Sequence, residues 1–336
     1  MEKKKVLLLA LIDYGLYQSI KENLERNGYD VTLVLNYGYE FSYTSIWDRL
    51  RNFLHKILLR DYTYKDKLRK SFLENKQVDI INEEDYYDYC IVIRSDFFPI
   101  EILKAAKLKS RSFVSYHYDG LGRNKKVFER IDLFDHFFVF DKNDIKKYPE
   151  YNLKLVDNFY FDCYPRGTNQ ERAGKAVYFL GSYHPSRLDD MLLCYNILRE
   201  YGLEVDIDLL INAYLPDDSP LYQNVDISLL KDVIPYKSYL EKISPYGILL
   251  DLLIAEHQGL SFRIFEGLYY QKKVITNNKS VRERDFYHPN NYFIIENNNF
   301  NGLEEFIAAP YKNIDSNIVE QYSFTSWLNT LLNKKD

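Results

Sequence analysis

The 336-residue sequence predicts an α/β protein of two doubly wound halves, on three observations. The chain opens with a short, fully apolar run from Lys5 to Leu11, a turn at Asp13-Tyr14-Gly15, helical spacing from Tyr17 to Arg26, and a second apolar run from Val31 to Leu35. That is a βαβ unit with a buried parallel sheet. Between Phe161 and Lys175 the sequence turns polar and loses its periodicity, as a domain boundary does. From Ala176 to Leu180 the pattern restarts with a strand, a glycine loop and a helix. The length also suits two domains. They are expected over 1–160 and 170–320, with 321–336 a terminal helix packing back on the N-terminal domain.

In the first half, Asn27-Gly28 ends the opening helix as a left-handed cap. Ser45 to Leu73 reads as helical and basic, with eight Lys or Arg against three Asp between Trp47 and Lys70. Trp47, Leu50, Phe53, Leu54, Ile57 and Leu58 give it an apolar face. Such a helix suits an anionic membrane or acceptor, and equally suits simple packing on the sheet. Asp88 to Arg94 is a strand, Pro99 to Lys107 a helix, and Ser112 to Tyr116 and His136 to Phe140 are further strands.

In the second half a helix from Ser186 to Tyr201 carries an S-x-x-D capping box at Ser186 and Asp189. Strands are expected at Val205 to Ile211, Asp232 to Ile234, Gly247 to Ile254, Val274 to Thr276 and Tyr292 to Ile295. Helices are expected at Tyr236 to Ile243 and Phe324 to Leu332.

Composition excludes several classes. Hydrophobic and charged contents of 46% and 28% describe a globular chain. The apolar run after Lys3-Lys4-Lys5 is too short for a signal peptide, and no stretch reaches the ~20 apolar residues of a membrane span. Three scattered cysteines and six histidines form no zinc pattern, so no metal is expected. No GxGxxG follows the first strand, which disfavours a dinucleotide cofactor. A net charge of −5 argues against a nucleic-acid partner. The expected location is cytoplasmic, peripheral on the inner face of the cell membrane through 45–73.

In open α/β sheets, ligands collect at the carboxyl ends of strands. Asp13, Asp96, Asp119 and Asp141 all follow strands. Asp119 stands out because His117 precedes it and Gly120 and Gly122 follow; a helix-capping role fits it as well. Asp141 reads as a strand-end or N-cap residue. Arg187, just after the Gly181-Ser182 loop, lies in the first turn of a helix and suits a phosphate, or else pairs with Asp189 or Asp190. The richest segment is Gln258-Gly259-Leu260-Ser261-Phe262-Arg263-Ile264-Phe265-Glu266. Arg263 and Glu266 share a helix face there, and the helix start offers amides to an anion. On its own, the pair reads equally as an ordinary surface ion pair.

This segment, followed by Lys272-Lys273-Val274-Ile275-Thr276, resembles the E-G-x-x-x-P-x-x-E donor site of GT-B nucleotide-sugar glycosyltransferases. It is similar above all to the Q-G-x-S-x-R-x-x-E form in bacterial capsule, lipopolysaccharide and exopolysaccharide enzymes. The resemblance covers about 175–296 and is architectural before that. It implies two Rossmann-like domains facing a central cleft, with transfer of a sugar from a nucleotide donor to a glycan or lipid-linked acceptor, without a metal. Glu266 would bind the ribose. Arg263, Arg187 and the Ser261 and Phe262 amides would face the pyrophosphate, beside Gly181, Ser182, Gln258 and Gly259. Asp119 would be the base, with His117 and Asp13 behind it. Gln258 stands where many retaining members carry glutamate, and Arg263 where proline is usual. Related alternatives are a nucleotide-sugar epimerase, a glycerol-phosphate polymerase or a non-catalytic sugar-binding partner.

Overall fold

The computed structural model describes residues 3–12, 15–166, 175–211, 219, 221, 226–254 and 258–333. They form two compact units. One comprises Met1–Ile12, Leu24–His117 and Asn124–Phe138, the other Asp13–Asn23, Tyr118–Arg123 and Val139–Asp336.

The elements of the first half are β1 (Lys5–Ala10), α1 (Leu16–Arg26), β2 (Asp30–Leu35), α2 (Ile46–Leu58), α3 (Tyr64–Ile81), β3 (Tyr89–Ile93), α4 (Ile100–Leu108), β4 (Phe113–His117), β5 (His136–Val139), α5 (Lys142–Lys147) and β6 (Leu153–Leu155). The sheet order is β2-β1-β3-β4-β5-β6. β1 runs parallel to both β2 and β3, with Leu8 opposite Leu33 and Ile91. Val6 to Ala10 are buried, as a strand between two neighbours and covered on both faces must be.

The single helix expected over 45–73 is two. Ser45 caps α2 by accepting from the Asp48 amide. Arg60 then takes φ +50, the left-handed region that ends a helix, before α3 begins at Tyr64. Neither α5 nor β6 is among the expected elements, but Asp141, an N-cap candidate, does cap α5, accepting from the Asn143 amide.

The second half contains β7 (Ala176–Ser182), α6 (Pro185–Glu200), β8 (Glu204–Leu210), β9 (Ile227–Leu230), α7 (Tyr236–Ile243), β10 (Ile248–Asp251), α8 (Phe262–Tyr270), β11 (Lys273–Thr276), β12 (Tyr292–Ile294), α9 (Leu303–Ala308), α10 (Ser316–Gln321) and α11 (Phe324–Leu331). The order is β12-β11-β10-β7-β8-β9. β8 and β9 continue to one side of β7, and β10, β11 and β12 to the other, so the chain reverses its direction of growth between β7 and β10. Such a switch point opens a crevice beyond the strand ends.

Two local expectations are corrected. The strand placed at Asp232 to Ile234 lies earlier, at Ile227–Leu230, in register with Ile207 to Leu210. Pro235 is the N-cap of α7 and has no N–H to donate to a ladder, so the chain turns into the helix directly after Ile234. The cap of α6 is His184 rather than Ser186; its ring Nδ1 accepts from the Ser186 amide, and Pro185 takes the first helical position. Within this unit Phe324 and Trp327 of α11 pack on Phe159.

Cys90, Cys163 and Cys194 are buried and joined in no disulfide. Burial pushes their pKa values up, to about 11 for Cys163 and about 12 for Cys194. Among the described residues no helix is long and apolar enough to cross a membrane.

Candidate functional site

The switch point of the second sheet holds a cavity of about 310 Å³. The ends of β7 and β10, the residues after each, and the N-terminus of α8 form its walls. Because α8 follows the close of β10 and packs on β10 and β11, its first turn points into the crevice. Gly267 makes that packing possible: an added Cβ would run into Val274.

Asp251, the last residue of β10, organises the wall. Its buried carboxylate accepts from Ser261 Oγ at 2.7 Å, Arg263 Nη1 at 3.2 Å and Thr276 Oγ1 at 3.1 Å. Ser261 therefore spends its hydroxyl on Asp251 and makes no side-chain cap on α8, leaving the first-turn dipole aimed at the cavity. Arg263 also donates to the Leu180 carbonyl, and its Nε has no hydrogen-bond partner among the described residues. Burial works against its charge, but Tyr239, Asp251 and Glu266 more than offset that, and its pKa is raised.

Arg187 reaches the same wall from α6, donating to the Ser182 and Leu252 carbonyls. Both guanidiniums lie over the Phe179 ring, with centroid distances of 5.1 Å for Arg187 and 5.2 Å for Arg263. Gly181 makes room for them, since a Cβ there would stand 2.7 Å from Arg187 Nη2.

Glu266, 2% exposed, lies one turn farther along α8. Its two oxygens accept from Tyr236 at 2.8 Å and Tyr239 at 2.6 Å. Burial raises its pKa, while the Tyr239 bond, Arg263 and Tyr236 pull it down. Both tyrosines, themselves shifted well above 10 by burial, sit three residues apart on α7 and line the cavity. Sequence reasoning passed over Asp251, Tyr236 and Tyr239. The strand-end position of Asp251 was the available signal; a tyrosine pair in so tyrosine-rich a chain offered none.

Gly181, Ser182, Arg187, Ser261, Phe262, Arg263 and Glu266 all line this cavity. Gln258 and Gly259 do not. The Gln258 side chain is exposed and bonds Asn143 at 3.0 Å, while its amide donates to Asp141. Gly259 is required by packing, because a Cβ would meet the Phe140 ring.

Of the three candidate bases, neither described one lines the cavity. Asp13 lies outside the described residues. His117 belongs to the first unit; it is 1% exposed, with Nδ1 3.7 Å from Asp96. Asp96 is in turn clamped by Arg94 at 3.0 and 2.9 Å and by Asn124 at 2.9 Å. Asp119 belongs to the second unit and does not line the cavity. It accepts from the Gly120 amide at 3.0 Å and from Arg123 at 2.6 Å.

Nearby, Asp144 accepts from the Leu121 amide at 3.1 Å. Burial raises its carboxyl from 3.8 to about 6. A folded pKa above the unfolded one contributes stability that is complete below about pH 4 and lost as pH rises through 6. Asp144→Asn is therefore expected to raise the melting temperature at pH 7.5, with no gain at pH 4. A thermal scan at both values checks this.

No family model and no curated protein matches the sequence. Solved structures do. An α-glucosyltransferase held with UDP and a 13-mer DNA is 12% identical, covering 99% of this chain and 100% of that one, at a TM-score of 0.58. The lipopolysaccharide outer core galactosyltransferase WaaB, without ligand, is 12% identical over 99% and 100%, at 0.52. TarM is 14% identical over 78% of this chain and 58% of that one, at 0.53. The two parallel six-stranded sheets with their helices are the GT-B fold these enzymes share. One expectation is overturned: α-glucosyltransferases of this fold are captured on DNA. The exclusion of nucleic acid on net charge is withdrawn, since the charge of a whole chain does not describe a single face.

Proposed function

We propose that this chain is a glycosyltransferase that binds a nucleotide-sugar donor in the cavity between the ends of β7 and β10. The sugar goes to a glycan or lipid-linked acceptor in surface polysaccharide assembly. One observation carries the reading: two guanidiniums, Arg187 and Arg263, and the N-terminus of α8 converge on one cavity, with the Glu266 carboxylate a turn away. Cations and helix amides suit a diphosphate, and a carboxylate suits sugar hydroxyls. The similar solved structures support it, since they are glycosyltransferases and some hold UDP or UDP-glucose.

Charge develops on the departing nucleoside diphosphate, so fixed cations aimed at it favour the transition state over the bound donor. Arg187 and Arg263 fill this role without a metal, and turnover is expected to survive chelation. If transfer inverts configuration a base must take the acceptor's proton; Asp119 is the first candidate for that role, although it stands outside the donor cavity on Arg123 and the Gly120 amide. Thermal shift with UDP-, GDP-, CMP- and dTDP-linked sugars tests the donor site. One nucleotide class is expected to raise the melting temperature in proportion to log concentration. No shift from any of them at millimolar levels removes the reading.

A further inference from the structure

We infer that α2 seats the protein on an anionic lipid surface, its apolar face entering the boundary between headgroups and acyl chains. The helix is inside out. At 100° per residue, Ile46, Leu50, Phe53, Leu54, Ile57 and Leu58 fall with Trp47 on one arc of about 140°. That arc faces solvent, with exposures from 41% at Leu54 to 79% at Ile46, and α2 has no buried residue. The polar face is the one held by the chain. Asn52 donates to Tyr43 Oη at 3.0 Å, and Asp48 takes part in the cap at Ser45. His55 stacks on Tyr64 at 3.9 Å and contacts Asp61 at 3.2 Å. A helix packed for water would have the opposite orientation. Leu59 and Tyr62, both exposed, extend the patch past the helix end.

Charge selects the occupant. Arg49 and Lys56 lie along one edge of the apolar arc and Arg51 along the other. The basic excess of five between Trp47 and Lys70 belongs to a chain whose net charge is −5. An apolar face rimmed by cations fits a bilayer bearing negative headgroups. Duplex DNA is held mainly through its phosphates by cations on the facing surface, whereas here the facing surface is apolar and the cations stand at its rim. A second copy would bring two basic rims together.

The test uses the full chain with vesicles of phosphatidylcholine, alone or mixed with phosphatidylglycerol. Co-sedimentation is expected with the mixed vesicles and is expected to weaken with salt. Trp47 is 66% exposed and Trp327 is 4% exposed, so binding should shift Trp47 emission to the blue and Trp47→Phe should remove that shift. Phe53→Asp, at an exposed position, should reduce partitioning about tenfold or more while leaving nucleotide-induced thermal shifts unchanged. Those shifts read the donor site separately, so either reading can fail alone. Absence of sedimentation with anionic vesicles at low salt overturns the inference. So does a dimer that Phe53→Asp dissociates, or DNA binding that Phe53→Asp abolishes, when vesicle binding is lacking.

Discussion

Arg263→Ala is expected to weaken binding of a nucleoside diphosphate by about a hundredfold, with the parent nucleoside bound almost as before. The guanidinium is buried in the cavity wall, and Asp251 and the Leu180 carbonyl aim it. A charge-assisted contact to phosphate contributes about 1.5–3 kcal/mol, and a desolvated site keeps the upper part of that range. Removal also leaves Asp251 and Glu266 facing one another without the cation, so some stability is lost. Arg263→Lys controls for this: it restores the charge but not the fork geometry, and should recover only part of the diphosphate affinity. Calorimetry with a nucleoside, its monophosphate and its diphosphate is the measurement. Equal losses for all three would place Arg263 in the scaffold instead of on the phosphates.

Glu266→Ala should act on both folding and binding. Two buried tyrosine hydroxyls, Tyr236 and Tyr239, lose their acceptor together, and a cavity opens beneath them. Stability is expected to fall by about 3 kcal/mol, read by chemical denaturation. Nucleotide affinity should fall at least tenfold for ribonucleotides. Glu266→Gln separates the two effects: its amide oxygen still accepts one tyrosine hydroxyl, so most of the stability should return. Affinity unchanged in both variants would dissociate Glu266 from the ligand.

Apolar runs announced the strands of both halves, because a strand buried on two faces has no freedom to be polar. The α8 segment was equally plain: a glycine loop, an arginine and a glutamate at helical spacing follow a buried strand. Other features depend on partners distant in sequence. The break between α2 and α3 rests on a left-handed Arg60, a residue with no intrinsic preference for that geometry. β9 lies at Ile227–Leu230 because β8 provides edge partners there, whereas Val233 and Ile234 look like strand residues and instead line the cavity. The strand-end position of Asp251 is legible in the sequence, but its partners come together only once β10, β11 and α8 meet. His184 replaces the expected Ser186 as the cap, two positions earlier, because Pro185 takes the first helical position.

The three buried thiols have a practical corollary. Cys90, Cys163 and Cys194 are shielded, and burial holds them protonated at neutral pH, so maleimides and spin labels have little purchase on the native chain. A single Leu50→Cys or Leu58→Cys substitution would thus give one addressable reporter on α2. Collision quenching or paramagnetic relaxation at that position would convert the orientation of one helix into an immersion depth, without first building a cysteine-free background.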